Sequence, residues 1–499
     1  MRLWANLIGL LAGAVLLAGP HVQGEGLRRL PPPAEPGTAV TEAEVATPPA
    51  GEPPPLAPTA APAVRLAAYT PGPAEPGAFS FAPCGDAPFC VPAPAYEVGA
   101  EFNRGLFIRS TDLQARPFAL YAGGRVQLRY VGFTRVVEAW TDNAGVTRTV
   151  RNRNQFDVER ARLNLSGTAV SPNLRYLFIF DADGDGGSLV DGLAFHFTYE
   201  VNRALRLRLG RWKAAAHREW LLSSRYSRMV DRSLATEFFR VGFTDGLWLL
   251  GDFNALGVDG WHYEASLTNG LRTSSRDSVN LDDNLGAAVT LRCDPLGPYG
   301  PGVVDYAGNT SPVVRLGASF AYDKSDDRSD AGVAFGLGDD GFLRLSDGTR
   351  LADPGALAPG LTLLGDRVLL AAVDAGIKYR GWSASCEVFW RSIQDLTADG
   401  PLPIGKINDT GYHIEVGRFL IAKRLDVNAR VSQVTGPQGD SLAYAAGFNV
   451  YWGDGRDDRV NKFAFDVTRV QRSAINSTQA DIFAGDDGVL FRAQTQIGF

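Results

Sequence analysis

The sequence has few of the residues on which metal sites, redox sites and many enzymes depend. Its 499 residues include only 2 Met, 4 Cys and 5 His. The cysteines and histidines show no metal-ligand spacing, and no nucleophile elbow, zinc-binding helix or phosphate-binding loop occurs, so we predict no metal, no cofactor and no enzyme. A mean hydropathy of -0.08 is too polar for a bundle of membrane helices. The net charge of -6 gives no indication of a nucleic-acid partner.

Long apolar runs are also absent beyond the N-terminus. Residues 1–24 combine a basic Arg2, a short apolar run and a final stretch with small residues, so they are predicted to be a signal peptide. Residues 25–100 are rich in Pro and Ala and are predicted to form a disordered periplasmic segment, either a plain linker or a cell-wall-binding tether. Cys84 and Cys90 lie close together in this exported segment, and we expect a disulfide between them.

The rest of the chain shows a strict alternation of apolar and polar residues. In residues 488–499, Phe491 and Ile497 fall on one face, and Arg492 and Gln494 fall on the other. A period of two predicts a β-strand with one apolar face and one polar face. Taken alone, this strand suits either the closing strand of a bacterial outer-membrane barrel or the edge strand of a secreted soluble sandwich.

Similar segments recur along the chain and favour the barrel. Each apolar face runs about four or five positions, which suits a hydrophobic band about 25 Å tall crossed by tilted strands. The opposite faces repeatedly carry Arg, which a soluble sandwich gives no reason to expect. We therefore predict that residues 101–499 form an all-β, transmembrane, antiparallel barrel of about sixteen strands. The predicted strands start near Phe118, Gln155, Asn173, Asp191, Ala204, Gly246, Gly260, Leu285, Pro312, Arg367, Trp382, Thr410, Arg424, Leu442, Val460 and Val489.

The connections between these segments tend to alternate in length. Tight turns are predicted at residues 171–173, 201–203, 380–381 and 420–423. Long loops are predicted at residues 135–154, 213–245, 270–284, 324–366, 392–409 and 471–488. With both chain ends in the periplasm, the tight turns face the periplasm and the long loops face outward. Residues 294–311 are the exception, a long connection at the periplasmic end, which leaves open whether a strand near them is misplaced.

Two stretches resemble the phosphate-selective porin O and P family. Residues 105–130, GLFIRSTDLQARPFALYAGGRVQLRY, are similar to that family's entry to the barrel. Residues 205–239, LRLRLGRWKAAAHREWLLSSRYSRMVDRSLATEFF, are similar to its fifth strand and third loop, although three alanines replace the family's Pro-Phe pair after Lys213. The resemblance implies a homotrimeric outer-membrane channel whose long third loop folds into the lumen. It also implies that Phe499 is the aromatic residue that the barrel-assembly machinery recognises.

Cations dominate the face that would line the lumen. The predicted lumen and selectivity residues are Arg125, Arg129, Arg160, Arg162, Arg206, Arg208, Arg292, Arg315, Arg391, Arg430 and Arg492. The predicted constriction loop adds Lys213, Arg218, Arg225, Arg228 and Arg232. Carboxylates of the same parity are fewer, namely Asp181, Glu200, Glu264, Glu387, Glu415, Asp426 and Asp466. Guanidinium rows favour anions over cations, so we predict passive diffusion of small hydrophilic solutes with a preference for phosphate or other small anions.

Three weaker patterns leave alternatives open. The loop cations are either the selectivity element or are paired with carboxylates such as Glu219 and Asp231 that pin the loop. Residues 181–187, DADGDGG, resemble a calcium loop but suit a plain polar hairpin better. The alternative function is a surface enzyme or adhesin acting through the long outer loops. An enzyme at the lipid boundary is disfavoured because His196, His262 and His413 share the inward parity of separate strands. Residues 220–222 are predicted to lie in a short helix.

Overall fold

The computed structural model describes residues 95–101, 104–182, 190–255, 258–272, 284–326, 342–452 and 460–499. The predicted signal peptide, most of the Pro/Ala-rich segment, the predicted Cys84–Cys90 disulfide and most of the calcium-like hairpin lie outside the described residues. Among the residues it does describe, no helix is both long and apolar enough to cross a membrane.

Alternating sequence segments become strands throughout the described chain. In chain order the strands are β1 Tyr96–Glu101, β2 Gly105–Ser110, β3 Ala119–Arg135, β4 Ala139–Thr141, β5 Thr147–Thr149, β6 Arg153–Ala169, β7 Ser171–Asp181, β8 Asp191–Asn202, β9 Leu205–Lys213, β10 Phe243–Ala255, β11 Val258–Thr268, β12 Gly286–Cys293, β13 Val313–Ser325, β14 Leu363–Tyr379, β15 Trp382–Ala398, β16 Lys406–Ile421, β17 Leu425–Gly436, β18 Gly439–Tyr451, β19 Lys462–Gln471 and β20 Gly488–Gly498.

Sixteen of these strands, β3 and β6 to β20, close into one antiparallel barrel. Each pairs with its neighbours in chain order, and the last strand pairs with the first from Gly488 opposite Arg135 to Gly498 opposite Arg125. The predicted fold and the sixteen predicted strands are therefore confirmed. The β1–β2 hairpin pairs with β3 just beyond the end of β20, and β4 and β5 form a separate hairpin between β3 and β6.

The two ends of the barrel differ in their connections. One end, called here the turn end, carries the turns after β6, β8, β14 and β16 and the chain terminus at Phe499. The opposite end, called the loop end, carries the long connections after β3, β9, β13 and β19. The exception predicted from the sequence is real, because residues 294–312 form a long connection at the turn end without any misplaced strand.

The two faces of the wall differ in polarity, as the alternation predicts. Leu207 and Leu209 of β9 are 37% and 65% exposed on the outside. The alternating Arg206 and Arg208 instead form ion pairs with Asp252 and Glu264 on nearby strands. Many other outward apolar side chains are exposed in the same way, including Phe156, Phe197, Phe320, Trp390, Tyr444 and Phe491.

A β-bulge interrupts the alternation in β6. Gln127 of β3 pairs with Arg160 and Leu128 pairs with Val158, so Glu159 is the extra residue on the bulged strand. As a result, the consecutive residues Glu159 and Arg160 are both buried, 4% and 1% exposed. A strict period of two would have placed one of them on the outside.

The third loop, residues 214–242, packs against the inner wall instead of extending outward. It contains short helices at Arg218–Leu221 and Leu234–Phe238, with a 3-10 turn at Ser224–Tyr226 between them. The first of these overlaps the helix predicted at residues 220–222. Ala214, Ala215 and Ala216 are 0–1% exposed, so this run of three alanines after Lys213 is part of the packed core.

Candidate functional site

The side chains that line the barrel interior form the candidate functional site. Nine of the eleven predicted wall arginines have a carboxylate oxygen within 4.0 Å, the exceptions among the described residues being Arg125 and Arg292. The pairs are Arg129 with Glu159, Asp231 and Asp481, Arg160 with Glu159 and Asp231, Arg162 with Asp181, Arg206 with Asp252, Arg208 with Glu264, Arg315 with Asp294, Arg391 with Asp409, Arg430 with Glu219, and Arg492 with Asp466.

The densest of these groups joins the third loop to the first strands of the barrel. Asp231 of the loop accepts hydrogen bonds from Arg129 at 2.8 Å and from Arg160 at 3.0 Å. Glu159 lies 3.1 Å from Arg129, and Asp481 from another loop lies 2.7 Å from it. All five groups are nearly inaccessible to water. The two arginines therefore hold the loop in place, and their charges are balanced by three carboxylates.

The lumen holds more carboxylates than the alternation of the sequence predicted. The reason differs from one carboxylate to the next. Asp252, Asp374 and Asp409 lie on inward positions of their strands, so a fuller reading of the alternation would have found them. Glu159 is turned inward by the bulge, which the sequence pattern does not show. Asp481 comes from the loop after β19, which folds back over the lumen. The expected excess of lumen cations is correspondingly smaller.

Most cations predicted for the constriction loop also have partners, either in the wall or within the loop itself. Lys213 donates to the carbonyl oxygens of Trp220 at 2.6 Å and Leu222 at 3.2 Å, at the end of the first short helix. The remaining contacts join Arg218 to Asp374 at 3.3 Å, Arg228 to Glu415 at 3.7 Å and to Ser383 Oγ at 2.7 Å, and Arg232 to Glu237 at 3.9 Å. Arg225 differs, because no carboxylate lies within 4.0 Å of it in the part of the chain that the structure describes.

Glu219 is a second anchor of the third loop. Its carboxylate accepts hydrogen bonds from Ser233 Oγ at 2.7 Å and Thr236 Oγ1 at 2.5 Å. Burial alone would raise the pKa of Glu219, but the charges of His413 and Arg430 and these two hydroxyl hydrogen bonds outweigh burial and lower it to about 2. Glu219 is therefore an anion at neutral pH.

Ser233, His413 and Glu219 together resemble the residue types of a hydrolytic triad. Ser233 Oγ lies 3.1 Å from His413 Nδ1, but it already donates to Glu219 and accepts from the Thr236 amide as the cap of the second short helix. Ser233 is also 0% exposed, so no substrate reaches its hydroxyl. This cluster therefore stabilises the loop and gives the enzyme alternative no support.

The other predicted histidines lie apart from each other and from any candidate metal group. His262 Nδ1 is 2.8 Å from Asp252 Oδ1, and the His196 ring packs edge-on against Trp212 with centroids 5.0 Å apart. Among the described residues no group of three or more His, Cys, Asp or Glu side chains is arranged to hold a metal ion.

A cavity of about 350 Å³ lies near the turn end, between the third loop and the wall strands β3, β6 and β7. Arg104, Arg125 and Arg225 line it, together with polar side chains such as Asn164 and Ser166. Arg104 pairs with Glu101 at 3.1 Å on the exposed rim. The cavity therefore presents more positive charge than negative charge.

Arg125 is the buried cation of this cavity. The residue is only 3% exposed, and its Nη2 donates to Ser224 Oγ at 2.7 Å. Its Nη1 has no hydrogen-bond partner among the described residues. The charged groups that act on it most strongly are other cations, Arg162, Arg160 and Arg225. A buried guanidinium with a free N–H and no carboxylate is a suitable donor for an anionic ligand.

Phe499 lies where the barrel closes at the turn end. Its backbone exchanges two hydrogen bonds with Gly124 of β3, both 3.0 Å long, and its side chain is 59% exposed. The ring is therefore accessible from outside the barrel, while recognition of Phe499 by the assembly machinery stays a prediction.

No protein-family model matches the sequence, and no curated protein sequence matches it. Among solved structures, the chain is similar to the outer-membrane protein OmpT of Vibrio cholerae in its trimer form, with 9% identity, 76% of this chain and 99% of that chain covered, and a TM-score of 0.47. It is also similar to the anion-selective porin from Comamonas acidovorans (10% identity, 76% and 99% covered, TM-score 0.46) and to the outer-membrane channel DcaP of Acinetobacter baumannii (10% identity, 76% and 97% covered, TM-score 0.43).

Proposed function

We propose that the protein is an outer-membrane porin through which small hydrophilic solutes diffuse passively, with a preference for small anions such as phosphate. The observation that carries the anion preference is Arg125, a buried cation without a carboxylate partner among the described residues, beside a cavity of about 350 Å³. Membership of the phosphate-selective porin O and P family remains part of this proposal and rests on the resemblance of residues 105–130 and 205–239.

The membrane location is supported by the outward face of the barrel. Strands alternate exposed apolar side chains with inward polar ones, which is the arrangement of a barrel surrounded by lipid and filled with polar groups. A closed barrel also leaves no unpaired strand edge inside a bilayer, where unsatisfied backbone groups are costly. We place the loop end outside the cell and the turn end, with residues 25–100, in the periplasm.

Apart from Arg292, the predicted lumen cations are proposed to have one of two roles. The paired arginines of the wall and the loop cations Lys213, Arg218, Arg228 and Arg232 position the third loop as the constriction. Arg125 and Arg225 supply the selectivity, because their charges are not balanced by a nearby carboxylate in the described structure. A unit charge about 5 Å from a permeating ion contributes about 0.8 kcal/mol at the dielectric constant of water, or roughly a fourfold preference.

Reversal potentials in planar bilayers under a KCl gradient test this proposal. The wild-type protein is expected to be anion-preferring, and Arg125→Gln with Arg225→Gln is expected to move the reversal potential towards zero. The matched control is Arg208→Gln with Glu264→Gln, which removes a lumen ion pair without changing the net charge. A cation-selective wild type, or a control that loses as much preference as the Arg125/Arg225 variant, would contradict the proposal.

Two partners complete the proposed function. The resemblance supports a homotrimer in the outer membrane, with Phe499 as the signal for the barrel-assembly machinery. Chemical crosslinking in detergent, followed by mass measurement, tests the trimer. The alternative of a surface enzyme or adhesin has no specific observation in its favour, because the one Ser-His-Glu cluster found in the described residues is buried.

A further inference from the structure

The long connection at the turn end, residues 294–312, folds back into the barrel. We call it the turn-end insert. Four of its side chains are only 1–6% exposed, although they belong to a connection between two strands of the barrel wall, namely Tyr299, Val303, Asp305 and Tyr306. Tyr306 packs edge-on against Phe419 at 5.8 Å and Tyr451 at 5.4 Å between ring centroids. Such burial shows that the insert is an integral part of the interior.

Several hydrogen bonds fix the insert to the wall. Lys378 Nζ donates to the Tyr299 carbonyl oxygen at 3.0 Å, and the Gly381 amide donates to Asp305 Oδ2 at 2.7 Å. Asp294, at the start of the insert, forms a two-contact ion pair with Arg315 at 2.7 and 2.9 Å. The insert is therefore held at its start and along its length.

The insert meets the third loop inside the barrel. Arg228 Nη2 of the loop donates to the Val303 carbonyl oxygen at 3.1 Å, and the Arg218 guanidinium lies 5.1 Å from the centre of the Tyr299 ring. Gly302 adopts a φ of +70°, and a Cβ there would lie 3.4 Å from the Cβ of Tyr226. One connection from each end of the barrel thus closes the same part of the lumen.

Three cavities lined by described residues differ in size across the lumen. Two cavities beside the insert measure about 10 Å³ and about 20 Å³, the first between the insert, Tyr226 and Lys462, and the second between Arg228, Val303 and Glu387. A single water molecule needs about 10–15 Å³ measured in this way, so neither space holds a hydrated solute. The cavity beside β3, β6 and β7 is about 350 Å³.

We propose that the turn-end insert is a second constriction element, which closes the β13–β19 side of the lumen and sets the size limit for solutes passing on the β3–β7 side. This inference rests on the proposed channel function but not on its anion preference. The insert and the third loop together set the size limit, whereas Arg125 and Arg225 select solutes by charge.

Solute-size measurements with the full-length protein in liposomes test the insert directly. In one variant a short Gly-Ser linker replaces residues 296–310; in a milder variant Tyr306→Ala removes the buried ring. Neutral sugars from a pentose to a tetrasaccharide are the probes, with heat-modifiable gel migration as the check of folding. We expect larger sugars to enter the shortened variant and its single-channel conductance to rise roughly twofold or more, because the open cross-section increases. Leu296→Ala, which changes an exposed residue of the same insert, is the matched control and is expected to behave as wild type.

Thiol accessibility gives a second measurement that does not require shortening the insert. In a background with Cys293→Ser and Cys386→Ser, Ser166→Cys lies in the large cavity and Ser385→Cys lies beside the insert. A membrane-impermeant thiosulfonate is expected to reduce the current of the first variant and leave the second unchanged. Equal reaction of both variants, or an unchanged sugar limit in a folded shortened variant, would overturn the proposal. A wild type without anion preference would overturn only the proposed selectivity, because the sugars are uncharged.

Discussion

Single ion pairs inside the barrel carry much of the connection between wall and loops. Arg492 of β20 forms two 2.9 Å hydrogen bonds with Asp466 of β19 and a third, at 2.8 Å, with the Ala480 carbonyl oxygen. Arg492 is 1% exposed and Asp466 is 0% exposed. The pair therefore links the last two strands to the loop that connects them, in a region with almost no water.

Removing one partner of this pair is expected to be far more costly than removing both. Arg492→Ala leaves the Asp466 carboxylate buried without a counter-charge and is expected to lower the free energy of unfolding by about 3–5 kcal/mol. Arg492→Gln with Asp466→Asn removes both charges and keeps hydrogen-bonding groups, so its loss should be smaller. Urea unfolding in detergent, followed by tryptophan fluorescence, measures both. Equal losses in the two variants would mean that the charge itself contributes little.

Acid is expected to weaken the attachment of the third loop in two pH ranges. Burial, the largest effect on His217, lowers its pKa to about 3, so between pH 6.5 and 3 the unfolded chain binds a proton that the folded chain does not. Glu219, with its pKa lowered to about 2, stabilises the loop above about pH 4.5 and loses that contribution as the pH falls towards 2. The stability of the loop therefore falls below pH 6.5 and falls more steeply below pH 4.5.

Limited proteolysis of the third loop across pH 7 to 2.5, with an acid-tolerant protease, measures this dependence. Glu219→Gln is expected to remove the additional, steeper part of the change below pH 4.5 and to leave the change that His217 causes between pH 6.5 and 3. A wild-type cleavage rate that is the same at pH 7 and pH 3, after correction for protease activity, would contradict both assignments.

At the scale of strands and loops, the sequence predicted the positions of the strands, because these depend on the alternation of apolar outward and polar inward side chains. The starts of all sixteen barrel strands agree with the structure to within a few residues, because lipid-facing and lumen-facing side chains alternate strictly. The bulge at Glu159 breaks that alternation within one strand, and only the pairing of β3 with β6 reveals it. The positions of Asp231, Asp481 and Val303 depend on where loops fold back, which no local pattern determines.

The same limit applies to the charge of the lumen. The sequence predicted which arginines point inward, but whether each is balanced depends on the residue opposite it on the next strand and on the loops above and below. Arg206 is balanced by Asp252 on the next strand, and Arg208 is balanced by Glu264 two strands away. Arg125 instead donates to Ser224 of the third loop, and none of the described carboxylates lies within 4.0 Å of it.

The closing strand carries a prediction about assembly. Deleting Phe499 removes its two backbone hydrogen bonds with Gly124, each of which contributes about 0.5–1.5 kcal/mol. The rest of the long pairing between β20 and β3 remains. We therefore expect a small effect on the stability of assembled barrels and a large loss of barrels inserted in the outer membrane.

Phe499→Ala separates the two effects, because it keeps the backbone hydrogen bonds and removes only the aromatic ring. The measurement is the amount of heat-modifiable protein in outer-membrane fractions, compared with the unfolding midpoint of the purified protein. If both variants are inserted as efficiently as wild type, Phe499 is not the signal that the assembly machinery recognises.

At the scale of the whole molecule, a net charge of -6 coexists with a lumen cavity that is positive. Most lumen charges are balanced within ion pairs, so we expect the field along the proposed solute path to come mainly from Arg125 and Arg225, which have no carboxylate within 4.0 Å among the described residues. Such a field is weak compared with that of a lumen lined by many unpaired cations. Because the path contains water and salt, screening by dissolved ions controls how far the field extends.

The anion preference is therefore expected to depend strongly on salt concentration. The screening length falls from about 10 Å at 0.1 M to about 3 Å at 1 M, which is shorter than the distance across a cavity of this size. Reversal potentials measured with the same tenfold KCl ratio at low and at high absolute concentration should give a clear preference in the first case and a much smaller one in the second. The Arg125→Gln/Arg225→Gln variant should show little dependence on salt. A preference that is equally strong at both concentrations would instead indicate that the guanidinium groups bind the anion tightly and without its water shell. Diffusion of the anion through a screened electrostatic field would then be ruled out.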